Sequence, residues 1–216
     1  ATLHFRSHSG HAEGHLTMPL EVRNRAQRLS IRGTESAGAV QLLDTGNVRR
    51  RVGLVSSSGG EQSLLADSYY LEKALGPYAE TSKGNVTGLL AQKASVLVLA
   101  DVGRIAGDDV PKIIDFVKKG GVLIRFAGEH LAQGADALVP VPLRVGERYI
   151  NGAMAWGQPQ RLATFGADSP FNGLSIAKDV HVSRQVLAEP TVELNGHVWA
   201  RLTDGTPLVT ARRQGQ

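Results

Sequence analysis

From Ser95 to Phe126 the chain runs through an apolar stretch, an amphipathic helical pattern, a Gly-Gly break and a second apolar stretch. Ser95-Val96-Leu97-Val98-Leu99-Ala100 lacks polar alternation, the pattern of a strand buried on both faces. Between Asp108 and Lys119, the residues Val110, Ile113, Ile114 and Val117 fall at helical spacing on one face. Asp108 or Asp109 is placed to cap the first free N–H groups, and Pro111 is tolerated in the first turn. Lys118 and Lys119 suit the negative end of a helix, and Gly120 offers a left-handed exit. Gly121 to Phe126 then reads as the next strand. Two apolar strands joined by one helix predict a parallel sheet with helices on both faces.

The same alternation extends in both directions. Val52-Gly53-Leu54-Val55 ends in the loop Ser56-Ser57-Ser58-Gly59-Gly60, and a helix follows with Leu64, Leu71, Ala74 and Leu75 on one face, stopped by Gly76-Pro77. Glu129 to Leu138 reads as a further helix. Past Pro140, strands are predicted at 141–145, 180–187, 197–202 and 206–211, with an irregular stretch at 146–176. Upstream, Leu16, Met18, Leu20 and Val22 alternate with polar residues, as do Leu29 and Ile31, and Ala39 to Leu43 forms a third short run. Gly33, Gly38 and Gly46 punctuate these runs, which predicts antiparallel strands with one wet face. The expected organisation is a polar His-rich leader at 1–15, a β appendage at 16–48 and an α/β domain at 49–216. The expected fold class is α/β, a three-layer parallel sheet with a small N-terminal antiparallel β appendage.

Composition removes several functions. The 216 residues contain no Cys, which excludes disulfides, thiolate nucleophiles and thiolate metal sites together. Net charge is +4, with basic runs at Arg49-Arg50-Arg51 and Arg212-Arg213. Two Trp, four Tyr and five Phe in the whole chain leave those runs without stacking platforms, so no nucleic-acid partner is expected. No apolar run approaches the ~20 residues of a membrane helix, and no signal peptide is visible. The chain starts at Ala1 and stops at Gly215-Gln216 directly after a strand-like run, so it is expected to be a piece of a longer protein, cut short at the C-terminus.

Three segments carry a resemblance. Asp115 to Gly128 (DFVKKGGVLIRFAG) is similar to the helix, Gly-Gly, strand, Gly core of class I glutamine-amidotransferase-like domains, a flavodoxin-like fold. Asp168-Ser169-Pro170-Phe171-Asn172-Gly173-Leu174 resembles a turn of their non-catalytic relatives. Thr203 to Val209, followed by Arg212-Arg213-Gln214-Gly215, resembles their last strand pair. More narrowly, Pro19 to Arg25 and Leu97 to Arg104 resemble bacterial membrane proteins with an N-terminal double-transmembrane region of the aerotolerance (Bat) type. The catalytic relatives hold a Cys two residues before the Gly that Gly128 matches. Phe126 stands there, and Phe has no heteroatom with which to attack a carbonyl. The resemblance therefore implies a pseudoenzyme: a soluble domain, periplasmic or cytoplasmic, of a protein anchored in the membrane by segments outside this chain. Its expected role is protein interaction or scaffolding, with other proteins or other domains of the same chain as partners. The alternative is a small-molecule or peptide-binding domain that reuses the old crevice.

Ligands of open α/β sheets bind outside the carboxyl ends of the strands. The polar residues expected there are Ser56, Ser57, Ser58 and Gly59 with Gly60, then Asp101, then Glu129 and His130. The Ser/Gly loop precedes a helix but lacks the Gly-Lys-Ser/Thr of a phosphate-binding loop. His4, His8, His11 and His15 would share one face of a helix, but Gly10 and Gly14 interrupt it, so no metal site and no cofactor are expected.

Overall fold

The structure is a computed structural model, and it describes Gly14, Leu16 and residues 18–44, 50–56, 67–149 and 159–215. The chain divides into two compact units, Ala1–Arg50 and Arg51–Gln216.

In the first unit the strand predicted through Leu20 and Val22 is instead a helix, α1 (Leu20–Asn24). Pro19 is its N-cap at φ −54° and ψ 144°, and its carbonyl accepts from Val22 and Arg23 N–H. The fixed proline φ launches one helical turn where side-chain alternation alone suggested extension. Strands β1 (Arg28–Ser30) and β2 (Val40–Leu42) pair antiparallel, with Leu29 opposite Gln41. A 3-10 turn at Ala37–Ala39 leads into β2. Both strands are exposed on both faces, so the expected single wet face is not found. Three-residue strands carry too few side chains to build a core between them.

The second unit is α/β. Strands β3 (Arg51–Ser56), β4 (Glu80–Lys83), β5 (Val96–Ala100) and β6 (Val122–Phe126) form a parallel sheet in the order β4-β3-β5-β6. Helix α2 (Asp67–Leu75) connects β3 to β4, α3 (Val86–Ala91) connects β4 to β5, and α4 (Asp109–Lys118) connects β5 to β6. Side-chain alternation sorts the core into two faces. Leu97 and Leu99 of β5 pack with Val86 and Leu89 of α3 and Ile113 of α4. On the other face Val52 and Leu54 of β3 and Val98 of β5 pack with Leu71 and Leu75 of α2. Helix, sheet and helix thus make three layers at the centre of the sheet. Leu64, also expected on α2, lies outside the described residues.

Two local expectations are corrected. The N-cap of α4 is Asp108, but it adopts helical backbone angles and its side chain makes no cap hydrogen bond, since capping needs an extended backbone. Asp109 Oδ1 instead accepts from Lys112 Nζ and Thr87 Oγ1. Gly120 does leave the helix at φ +93°. The helix expected from Glu129 to Leu138 stops after one turn, as α5 (Glu129–Ala132). Gly134 has poor helix propensity, and the Asp136 carboxylate is bonded away to Arg125 and to Ile105 N–H.

Beyond Pro140, β7 (Leu143–Tyr149) pairs antiparallel with β8 (Arg184–Ala188), and β9 (Val198–Arg201) with β10 (Pro207–Thr210). β7 runs into the stretch read as irregular, where Gln160 and Leu162 also form isolated bridges to Val182 and Leu202. Arg212 reaches Ala137 O, and Gly215 lies against the backbone of Lys118. Among the described residues no helix is long and apolar enough to cross a membrane.

Candidate functional site

Strand order reverses between β3 and β5: the chain goes from β3 to β4 on one side, then to β5 and β6 on the other. The carboxyl ends of these strands define the crevice of such a sheet. Ser56 pairs in register with Ala100, and Ala100 with Phe126, so Ser56, Asp101 and the segment after Phe126 share that edge. Ser57, Ser58, Gly59 and Gly60 lie outside the described residues, as do His4, His8, His11 and His15.

Asp101 follows β5 directly and has φ +45°, a left-handed backbone that Asp tolerates better than most side chains. This turns its carboxylate across to the segment after β6. Oδ1 accepts from Gly128 N–H at 2.9 Å and Leu131 N–H at 3.2 Å. Oδ2 accepts from His130 N–H at 3.2 Å and meets His130 Nδ1 at 2.9 Å. The local N-cap of α5 is Gly128, which has no side chain to offer. Asp101 supplies the missing cap from the neighbouring strand, satisfying N–H groups that a helix start leaves free. A Cβ on Gly128 would lie 2.7 Å from Asp101 Cγ, so only glycine allows this approach. Burial by itself raises the Asp101 pKa. The hydrogen bonds outweigh it, the His130 side chain first and then the three amides, and hold the carboxyl below its ordinary range.

An ionised Asp101 requires the proton of a neutral His130 ring on Nδ1, which leaves Nε2 as the basic nitrogen. The His130 side chain is 57% exposed. Beside it, Glu129 Oε1 pairs with Arg184 Nη1 of β8 at 2.5 Å, both groups exposed. Asp101, Glu129 and His130 are therefore brought together.

Sequence reasoning missed the group beneath them. Arg125 of β6 and Asp136 form an ion pair at 2.5 Å, their side chains only 4% and 5% exposed. Arg125 Nη2 also donates to Val102 O and Gly103 O, each at 2.8 Å. Asp136 accepts from Ile105 N–H at 2.7 Å and Leu138 N–H at 2.9 Å. Among the buried side-chain atoms of the described residues, Arg125 Nε alone lacks a partner. The available signal was a lone Arg inside the apolar run VLIRF, because a buried guanidinium needs a carboxylate. Arg184 carried no such signal.

Phe126 points away from this ion pair. Val98 pairs with Ile124, so Val122, Ile124 and Phe126 lie on the α2 side of the sheet. There they are 48%, 41% and 48% exposed. Among the described residues no group of three His, Asp or Glu side chains is placed to hold a metal ion. No family model, curated protein or solved structure matches this chain.

Proposed function

We propose that the chain is a non-catalytic domain of the class I glutamine-amidotransferase-like, flavodoxin-like type, belonging to a bacterial protein anchored in the membrane by other segments and acting in protein interaction. The carrying observation is Phe126. The residue matching the family's nucleophile is an exposed phenyl ring in line with exposed Val122 and Ile124. A surface of this kind favours burial against another polypeptide and offers nothing to a reacting carbonyl. The state of Asp101 supports the reading, because its carboxylate is spent on capping α5. The parallel order β4-β3-β5-β6 with helices on both faces suits the proposed fold.

A second reading has its own observation. His130 is held by Asp101 through Nδ1 and exposed at the edge where the strand order reverses, a place suited to a small polar ligand or a peptide end.

A photoreactive phenylalanine analogue at Phe126, in cells producing the chain, tests the interaction reading. Discrete protein adducts at position 126, absent at exposed Val192, are expected, together with no release of glutamate from glutamine. Turnover of glutamine that is lost in His130→Ala, or equal labelling at the two positions, rejects the interaction reading.

A further inference from the structure

Strand β6 closes the parallel sheet on one side, and no described strand pairs with its outer edge. Its phase is set by β5: Val122 N–H donates to Ser95 O, and Phe126 O accepts from Asp101 N–H. Main-chain groups alternate in direction along a strand, so those of Leu123 and Arg125 face outward. Edge strands are ordinarily protected by Pro, Lys, a bulge or an inward charge. VLIRF has no Pro or Lys and keeps an unbroken register with β5. Its one charge, Arg125, is turned to the opposite face and neutralised by Asp136.

We propose that two copies of this chain join along β6, antiparallel, about a two-fold axis through Ile124. This rests on the interaction reading and names its partner. The axis sets Leu123 opposite the partner's Arg125, outward-facing group to outward-facing group, as an antiparallel ladder requires. On the exposed face Val122 meets the partner's Phe126, and Ile124 meets the partner's Ile124. Shifting the axis to Leu123 would keep Val122 opposite the partner's Ile124 but leave Phe126 opposite the partner's Gly120, outside the apolar overlap. Charge also fits an isologous arrangement. Antiparallel pairing brings Lys118 and Lys119, before β6, toward the partner's Glu129, after it. Lys119 already shares Asp115 and Glu129 already shares Arg184, so each end gathers mixed signs and no single-sign cluster opposes itself. The joined sheet has eight strands, an ordinary size.

The absence of Cys makes the test clean. Ile124→Cys places one thiol per copy on the axis, in a non-hydrogen-bonded pair with Cα atoms about 4.5 Å apart. That lies within the ~4.4–6.8 Å span of a disulfide. Mild oxidation is expected to give a covalent dimer for I124C and none for V192C. The unmodified chain is expected to sediment as a dimer, and I124K, which opposes two ammonium groups across the axis, as a monomer with an unchanged far-ultraviolet circular dichroism spectrum. A monomeric unmodified chain with no I124C disulfide overturns self-pairing; protein adducts at position 126 would then leave the broader interaction reading standing. A dimer that survives in I124K, or equal cross-linking of I124C and V192C, overturns the assigned surface.

Discussion

Replacing Asp136 with Ala removes the carboxylate on which one buried guanidinium and two amides converge. Exposures of 4% and 5% rule out solvent screening as a cushion. Breaking one side of a buried ion pair costs roughly 3–5 kcal/mol. Arg125 keeps Val102 O and Gly103 O, which holds the charge in place and stops it from escaping to water. Each buried N–H left without an acceptor adds about 1–3 kcal/mol, partly offset where water enters. The expected loss is therefore about 4–6 kcal/mol, a large part of the ~5–15 kcal/mol that holds an ordinary domain together. Urea denaturation followed by circular dichroism reads it as a midpoint lowered by about 2 M or more at an ordinary m-value. Adding Arg125→Met removes the stranded charge but not the stranded amides of Ile105 and Leu138. The double variant should recover most of the loss and remain about 1–3 kcal/mol short. A loss below about 1 kcal/mol in the single variant, or a double variant weaker than the single, would refute the reasoning.

Gly128→Ala forces a methyl to within 2.8 Å of Asp101 Oδ2, so the carboxylate must leave its amides; a loss of about 1–3 kcal/mol is expected by urea denaturation, and a neutral effect contradicts the close approach. Asp101 titrates below its ordinary 3.8 in the folded chain, so its contribution is complete above that value and is lost as pH falls through the lower folded pKa. The stability gap between the unmodified chain and Asp101→Asn should hold near neutrality and close below about pH 4. A gap that widens in acid reverses the sign of the argument.

How far the sequence reveals this molecule depends on what each element buries. β3, β5, α4 and β6 are legible because apolar runs or helical spacing mark segments with covered faces. β4 is not, because Glu80-Thr81-Ser82-Lys83 is an edge strand whose place comes from pairing with β3. α3 is six residues long and contains Gly88, and its N-terminus rests on Asn85, whose side chain accepts from Gly88 N–H. The carboxyl edge could be placed from topology, but the work done there could not. That Asp101 is left-handed and caps a helix on the next strand depends on a contact 27 residues away. The end of α5 was unreadable for a similar reason: Asp136 answers to Arg125 rather than to its sequence neighbours.

The bonds that knit Asp101, Arg125 and Asp136 to neighbouring loops span 22 to 31 residues of chain. All of them fall between the ends of one strand–helix–strand crossover and the turn that follows it. Once β5 and β6 have paired, the loop each bond would close is already closed, and the remaining entropy of closure is small. The edge is therefore expected to form together with the crossover. A chain that has folded this one crossover already carries its polar cluster in place, while the antiparallel strands farther along still have long-range partners to find.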